Sequence, residues 1–170
     1  ERHYQEKKAL LEGQTVAFGG VFDDERHTME PTVLIDVDPE SAVMQEEIFG
    51  PILPVITWTS LDEAIDFVRN RPKPLALYLF TGKRAVEKRV LDNCSFGGGC
   101  INDTVIHIAT SHMGFGGVGH SGMGSYHGKQ SFDTFTHYRS IVRKSTWLDL
   151  PFRYFPYTER KLRLIRRFLK

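Results

Sequence analysis

The residues of this chain most able to do chemistry are two cysteines, Cys94 and Cys100, with histidines downstream at His107 and His112. A cysteine near a histidine can act as a nucleophile, because the ring nitrogen removes the thiol proton. However, Cys100 falls in a predicted buried strand and Cys94 at a predicted helix end, where cysteine commonly serves as a small apolar side chain. We favour that structural interpretation. No histidine pair joins a cysteine pair at zinc spacing, so no metal site is predicted.

Three glycines, Gly117, Gly119 and Gly122, match the Gly-x-Gly-x-x-Gly string of dinucleotide-binding loops. That fingerprint requires a strand directly before it and a helix directly after it. Residues 111–115 are not strand-like, and Gly124 disfavours an immediate helix. We therefore interpret these glycines as a tight backbone crossing near a pocket rather than as a phosphate site.

Two neighbouring carboxylates, Glu46 and Glu47, precede Phe49 and a Gly-Pro stop. They lie at a predicted junction between a helical stretch and a strand, where α/β proteins often bind ligands. A carboxylate there could accept hydrogen bonds from sugar hydroxyls. A solvated helix end with Phe49 in the core fits the same residues equally well.

Residues 158–170 form a predicted basic amphipathic helix. Its apolar stripe comprises Leu162, Ile165 and Leu169, widened by Leu164 and Phe168. Its cations are Arg160, Lys161, Arg163, Arg166, Arg167 and Lys170. Such a helix can cap its own domain or a partner's, or lie on an anionic membrane. Packing against protein is the favoured interpretation, with a weak membrane-surface contact as the alternative.

The charge of the 170-residue chain is unevenly divided. Residues 1–138 contain 12 Lys and Arg against 19 Asp and Glu, whereas residues 139–170 contain 10 against 2. This division excludes a uniformly basic nucleic-acid binder, and no apolar run reaches the roughly 18 residues that span a bilayer. Two cysteines cannot form a disulfide framework, so we expect a cytoplasmic location. Because the chain begins with Glu, we expect a fragment or a processed product.

Apolar periodicity places these residues on alternating strands and helices. The predicted strands are residues 16–18, 32–37, 52–58, 75–80 and 97–101, with a loop at 23–30. The predicted helices are residues 2–12, a short stretch ending at 48, a helix from 61 begun by a Ser60–Glu63 capping box, and 84–91. Short connections between strands and helices predict an α/β fold with a largely parallel sheet.

Several segments resemble the C-terminal part of the aldehyde dehydrogenases, namely residues 31–34, 43–51 and 73–78. The segments that resemble the class 3, fatty-aldehyde-like branch are residues 115–119, 121–124, 126–129 and 131–135. Together they cover residues 1 to about 145 in order. The resemblance implies part of the catalytic domain over residues 1–130, an oligomerisation strand over 131–146 and a basic tail over 147–170.

The resemblance also implies a function, the oxidation of aliphatic or aromatic aldehydes to carboxylates through a cysteine thiohemiacetal. Glu47 would bind the ribose hydroxyls of NAD or NADP, and Phe49 would pack against the nicotinamide. The residues that would border the aldehyde pocket are Asn102, His107, Thr110 and Phe115, the last near the reactive sulfur. Residues 131–146 would join a sheet across a homodimer interface.

The departures from the family limit what this chain can do. The family's nucleophilic cysteine, general-base glutamate, oxyanion asparagine and nucleotide-binding domain lie upstream of the position of Glu47, so no catalytic residue is expected here. Cys94 and Cys100 fall where relatives usually carry Thr, and Gly114 replaces a common Pro. We expect the isolated chain to be inactive. The alternative function is a non-catalytic dimerisation or interaction module derived from the family.

Overall fold

The structure is a computed structural model that describes residues 1–168. It divides into two units, residues 1–128 and residues 129–170. The described residues contain seven β-strands and five α-helices, and all seven strands lie in the first unit. The α/β class predicted from the sequence is therefore confirmed.

The first sheet has three strands and a mixed topology. Its strands, in spatial order, are β1 (Thr15–Phe18), β4 (Thr32–Ile35) and β5 (Ile52–Pro54). β4 runs antiparallel to β1 and parallel to β5. The buried residues of its core are Leu10, Leu34, Val37, Val43 and Ile52. β5 ends earlier than predicted, at Pro54, and the Val55 N–H makes a further hydrogen bond to the Leu34 carbonyl oxygen at 2.9 Å.

Between β1 and β4 the chain forms a hairpin where the sequence predicts a loop. β2 (Phe22–Asp23) pairs antiparallel with β3 (Thr28–Met29). The Asp23 carboxylate closes the turn by accepting hydrogen bonds from the N–H groups of Glu25 and Arg26, at 3.1 and 3.0 Å. Asp favours turns for this reason, and the polar composition of the segment conceals the two short strands beside it.

The second sheet is a single parallel pair, β6 (Ala76–Leu79) and β7 (Gly98–Ile101). Helix α2 (Leu61–Arg69) precedes β6, and helix α3 (Arg84–Asn93) connects β6 to β7. This is the βαβ unit that the sequence predicts. The buried core residues of this unit are Ile65 of α2, Val90 of α3 and Cys94 at the C-cap of α3.

Two helix termini illustrate how closely the sequence predicts boundaries. Helix α1 (Arg2–Ala9) ends three residues before the predicted limit, and a turn leads to Gly13 with a φ of 72°. At the start of α2, the Ser60 hydroxyl accepts the Glu63 N–H at 3.3 Å, as a capping box requires. The Glu63 carboxylate reaches one residue further back than predicted and accepts the Thr59 N–H at 3.0 Å.

The segment predicted to form an oligomerisation strand, residues 131–146, is not a strand in this structure. Its first four residues complete helix α4 (Gly128–Thr134), and residues 135–146 form neither helix nor strand. Lys129 and Asp133 pair at 2.5 Å one helical turn apart, which supports helix. A strand also needs a neighbour for its N–H and C=O groups, and no strand within residues 1–168 supplies one. The intersubunit strand therefore stays a prediction.

The predicted basic helix is observed as α5 (Glu159–Phe168). The Phe168 ring stacks on Phe152, at 5.9 Å between centroids, so the helix packs on the short 3-10 turn Pro151–Arg153. Leu169 and Lys170, the last members of the predicted stripe and cation set, lie outside the described residues. Among the residues that are described, no helix is both long and apolar enough to cross a membrane.

Candidate functional site

The segment that carries Glu47 and Phe49 is irregular rather than helical. The helical stretch predicted up to residue 48 reduces to one 3-10 turn, Ala42–Met44, and the chain then runs without regular structure into β5. The cause is a side chain that lies two residues beyond the end of α2. The Arg71 guanidinium donates to the carbonyl oxygens of Pro39 and Met44, the latter at 3.2 Å. These carbonyls are thereby satisfied without a helix.

Glu47 itself faces solvent. Its carboxylate makes no side-chain hydrogen bond or ion pair with any other residue in 1–168. Phe49 is 78% exposed, so the alternative in which it belongs to the core is wrong. Its φ of 45° is uncommon for a bulky residue. His3 Nε2 donates to the Phe49 carbonyl oxygen at 2.9 Å, which ties this backbone to α1.

His107, predicted to border a pocket, is buried with only 8% of its surface exposed. It lies in the 3-10 turn Ile106–Ile108, and its Nδ1 is 3.5 Å from Cys100 Sγ. A glycine makes this approach possible. A Cβ added to Gly98 would lie 3.1 Å from the imidazole Cδ2, so the ring rests on the bare backbone of β7.

Phe115 is a second predicted pocket residue. Its ring lies beside that of His107, at 5.7 Å between centroids. Its backbone forms a two-way bridge with Tyr126, with N–H to oxygen distances of 2.9 and 3.0 Å. Three further rings join them. The group, which we call the ring cluster, comprises Tyr78, His107, Phe115, Tyr126 and His127.

Asn102 and Thr110, the remaining predicted pocket residues, have polar groups engaged in local turns. The Asn102 amide accepts the Thr81 N–H at 2.7 Å and donates to the Thr81 carbonyl at 2.9 Å, which ties together the ends of β6 and β7. Thr110 Oγ1 accepts the His112 N–H at 3.2 Å. Of the four predicted pocket residues, the structure brings His107 and Phe115 into contact through their rings and gives the other two hydrogen bonds in turns.

Three members of the ring cluster are not among the sequence-predicted site residues: Tyr78, Tyr126 and His127. Tyr78 lies opposite Cys100 in the parallel pair. The period-two pattern of β6 indicates the face on which Tyr78 lies, but its partner on β7 depends on the register between the strands. The other two follow the glycine-rich stretch that begins at Phe115. There the predicted tight crossing is present, since a Cβ added to Gly117 would lie 2.1 Å from the Ser121 carbonyl oxygen. That crossing returns the chain to Phe115.

The two cysteines differ in their surroundings. Cys94 is buried beneath α2 and α3, and burial raises the pKa of its thiol. This agrees with its interpretation as a small apolar side chain. Cys100 is only partly buried and touches His107. Within residues 1–168, no three His, Cys, Asp or Glu side chains come together as a metal site would require.

Comparison with known proteins gives the same family that the sequence resembles. The profile of the aldehyde dehydrogenase family matches residues 2–141. The 4,4'-diaponeurosporen-aldehyde dehydrogenase of Staphylococcus aureus is 51% identical over 171 residues, covering 99% of this chain and 37% of that protein. Aldehyde dehydrogenase family 3 member A2 of Rattus norvegicus is 53% identical over 143 residues, covering 84% and 30%. A substrate-bound structure of Staphylococcus aureus AldH has a TM-score of 0.92 at 51% identity, covering 99% and 37%.

The chain therefore belongs to the aldehyde dehydrogenase family, and its predicted similarity to the class 3 branch is confirmed. It spans about a third of the length of the relatives just named, between 30% and 37%. A more distant structure, betaine aldehyde dehydrogenase of Staphylococcus aureus in complex with NAD+, has a TM-score of 0.72 at 26% identity, covering 88% of this chain and 32% of that one.

Proposed function

We propose that this chain is the C-terminal part of an NAD(P)-dependent aldehyde dehydrogenase that oxidises aliphatic or aromatic aldehydes to carboxylates. The observation that carries the proposal is the family match over residues 2–141. In the proposed reaction, a cysteine thiolate outside this chain attacks the aldehyde to form a thiohemiacetal. NAD or NADP accepts the hydride, and water activated by a glutamate, also outside this chain, releases the carboxylate.

The chain's own contribution to cofactor binding would come from Glu47 and Phe49. A carboxylate suits the vicinal hydroxyls of a ribose, because it can accept two hydrogen bonds at once. Glu47 is exposed and has no competing side-chain partner in residues 1–168, so its oxygens are free for that role. The Phe49 ring, 78% exposed, presents an apolar face that suits one side of a nicotinamide. Relatives bind both dinucleotides: one rat enzyme is NADP-preferring and the betaine enzyme contains NAD+.

The chain's contribution to the aldehyde pocket would come from the ring cluster, with Asn102 and Thr110 at its border. Phe115 and Tyr126 meet edge to face at 5.7 Å, an arrangement that fixes both rings. Fixed aromatic walls bind an apolar substrate chain without ordering flexible side chains first. This supports an aldehyde with a substantial apolar part, and both aliphatic and aromatic substrates satisfy that description.

The cofactor role is tested by Glu47→Gln in the full-length enzyme. The substitution keeps the shape of the side chain but removes its charge, which costs about 1–3 kcal/mol where a charged hydrogen bond is lost. We expect slower hydride transfer or weaker NAD(P) binding, measured by stopped-flow appearance of reduced cofactor and by equilibrium titration. Glu46→Gln is the matched control, because Glu46 is the exposed neighbour. Equal kinetics for both variants and the unmodified enzyme would contradict a cofactor role and favour the alternative in which Glu47 is simply solvated.

The alternative function is a non-catalytic dimerisation or interaction module. In both cases the 170-residue chain alone should not oxidise aldehydes, since it is expected to hold no catalytic nucleophile or general base. Steady aldehyde-dependent formation of reduced cofactor by the purified chain would contradict this. The coding region directly upstream of Glu1 separates the two functions: an in-frame nucleotide-binding domain with a reactive cysteine supports the enzyme, and a start codon supports the module.

A homodimer through residues 131–146 is proposed as the assembly. Residues 135–146 have no regular structure, and their apolar side chains are uncovered, with Phe135 90% and Val142 94% exposed. Unpaired backbone beside exposed apolar side chains is a template for pairing with a second copy. Val142→Lys in the full-length protein should weaken the dimer in analytical ultracentrifugation, while Ser145→Lys adds the same charge next to it without removing an apolar contact.

A cytoplasmic location with a weak peripheral membrane contact through residues 158–170 is proposed as well. Leu164 and Phe168 are 39% and 70% exposed on α5, among its Arg and Lys side chains. Basic amphipathic helices bind anionic lipid through such a combination. Flotation of the chain with phosphatidylserine-containing vesicles should be salt-sensitive, and the absence of binding at low salt would leave protein packing as the only role of α5.

A further inference from the structure

We propose that Cys100 and His107 form a histidine-assisted thiol that reacts with soft carbon electrophiles, in particular α,β-unsaturated carbonyl compounds. This would be a covalent modification site. It is separate from the nucleophile proposed for aldehyde oxidation, which lies outside this chain. The inference rests on the geometry of the Cys100–His107 pair alone and does not depend on the proposed function.

The first observation is the contact itself. Cys100 Sγ and His107 Nδ1 are 3.5 Å apart, within hydrogen-bond distance for sulfur. A nucleophile and a base within hydrogen-bond reach are the structural signature of an activated thiol. The base is in turn held by neighbouring groups. Tyr78 and Phe115 flank the imidazole at 5.8 and 5.7 Å between centroids, and Gly98 lies beneath it.

The second observation is that the imidazole is buried but not satisfied. His107 Nε2 is enclosed and has no hydrogen-bond partner among the described residues. The only polar group that its ring nitrogens contact in residues 1–168 is therefore the thiol, which is bonded to Nδ1. A histidine serving only as core packing would be expected to have both nitrogens paired, because an unpaired buried polar atom costs about 1–3 kcal/mol. The ring atom in contact with the thiol is Nδ1, which is placed to take the thiol proton.

The chemical step balances within the pair and the electrophile. As the S–C bond forms at the β-carbon of the unsaturated carbonyl compound, Nδ1 takes the thiol proton. The electron pair of the C=C bond moves to the α-carbon. That carbon then receives the proton from Nδ1, so the histidine is returned to its starting state and no oxidant is consumed. The product is a thioether at Cys100.

Cys94 provides an internal reference in the same polypeptide. It is 8% exposed, is packed against Ile65 and Val90, and has no histidine contact among the described residues. Burial raises the pKa of its thiol, which disfavours the reactive thiolate. Since these are the chain's two cysteines, peptide mapping assigns every adduct to one or the other.

The decisive measurement compares the folded chain with the same chain in urea. The probe is N-ethylmaleimide at neutral pH, with adducts followed by mass spectrometry of the two cysteine peptides. Denaturation exposes both thiols, so folding alone can only slow their reaction. We expect Cys94 to react more slowly in the folded chain and Cys100 to react at least about tenfold faster than in urea, since a positioned base assists the step. A folded-state rate for Cys100 equal to or below the denatured rate would overturn the proposal.

Substitution then identifies the base. His107→Gln should abolish the acceleration at Cys100, whereas Tyr78→Phe keeps the neighbouring ring and should preserve it. The Cys94 rate reports folding in each variant: a slow Cys94 shows that the variant is folded. If His107→Gln exposes Cys94, the folded-versus-urea comparison in the unmodified chain still decides. Retained acceleration in a folded His107→Gln chain would also contradict the proposal.

Discussion

Two regions of the first unit carry the predicted site residues, and they are built in opposite ways. Residues 46–50 are an exposed, irregular segment whose backbone is held at its flanks by other elements. The ring cluster is built from Tyr78 on β6, His107 in the 3-10 turn after β7, and the bridge between Phe115 and Tyr126 with the adjacent His127. Its rings support each other within the chain. Residues 46–50 leave the Glu47 carboxylate and the Phe49 ring exposed, whereas packing fixes the positions of the rings in the cluster.

The largest expected effect comes from breaking the support of the ring cluster at Gly99. A Cβ added there would lie 2.0 Å from the Leu77 carbonyl oxygen, within the β6–β7 pair. Because backbone must move to relieve the contact, Gly99→Ala should lower the free energy of unfolding by about 3 kcal/mol. Gly82→Ala is the control, since no atom lies within 4 Å of the Cβ it would add. Urea midpoints followed by circular dichroism should separate the two variants, and equal midpoints would contradict the close packing of this pair.

A matched pair of phenylalanines tests the comparison directly. Phe115 is partly buried among three other rings, whereas Phe49 is 78% exposed. Phe115→Ala should cost about 2 kcal/mol of unfolding free energy, while Phe49→Ala should stay within about 0.5 kcal/mol of the unmodified chain. Thermal and urea unfolding of both variants provides the measurement. A comparable loss of unfolding free energy in Phe49→Ala would mean that the Phe49 ring is packed against the protein rather than exposed.

The segment at 46–50 should instead respond to a distant side chain. Arg71 bonds the Pro39 and Met44 carbonyls and lies 4.4 Å from the Phe67 ring centroid. Removing it leaves two carbonyls without their donor, a local cost of about 1–2 kcal/mol. Arg71→Ala should therefore speed amide hydrogen exchange in residues 42–50 and leave the ring cluster protected.

Arg69→Ala is the control for this exchange experiment. Arg69 is the last residue of α2, two positions before Arg71. Its contact is a loose, exposed pair with Asp66 at 3.7 Å, a kind of interaction that contributes little. Faster exchange near residue 115 in Arg71→Ala, or the same pattern in Arg69→Ala, would show that the two regions are not independent.

The two regions also differ in how far the sequence could predict them. The βαβ unit and the start of α2 follow from apolar periodicity and a capping signal, both of which are local. The turn at 42–44 does not, because the residue that replaces its helix hydrogen bonds is Arg71, some thirty positions away in the chain. The intersubunit strand at 131–146 stays a prediction for a related reason, since a strand depends on a neighbour that its own residues cannot specify.

The ring cluster also contains residues that the sequence alone did not assign to the site. His107 and Phe115 were identified by resemblance to a family, whereas Tyr78 was not, although it touches His107. Its place depends on the register between β6 and β7, which a single sequence does not determine. The contact between Cys100 and His107 is equally a product of that register and of Gly98. The sequence offered two cysteines and two histidines and favoured a structural role for the cysteines, and only the fold brings the atoms of this pair together.

The smallest expected effect is a loss of stability in α1 at high pH. This helix holds the backbone at Phe49, because His3 donates to the Phe49 carbonyl oxygen. The Tyr4 hydroxyl donates to Asp24 Oδ1 at 2.6 Å. Burial of the ring, followed by this hydrogen bond, raises the pKa of Tyr4 to about 12. The hydrogen bond from Lys8, followed by that from Tyr4, lowers the pKa of Asp24. Both shifts favour the neutral phenol beside an ionised carboxylate.

Because the folded pKa of Tyr4 lies above its ordinary value of 10, the stability that it contributes is fully present below about pH 10 and is lost as the pH rises towards 12. Hydrogen bonds to Asp133 and Asp149 also raise the pKa values of Tyr138 and Tyr154, so several tyrosines should titrate late. Tyr4→Phe should remove one late group, that of Tyr4, from the titration of tyrosinate absorbance. Asp24→Asn should move it back towards the ordinary range. As the pH rises above about 10, amide hydrogen exchange should increase in α1 and at residues 49–50 before it increases in the ring cluster. An unchanged number of late groups in Tyr4→Phe would assign the shift to another residue and contradict the role of Tyr4 in holding α1.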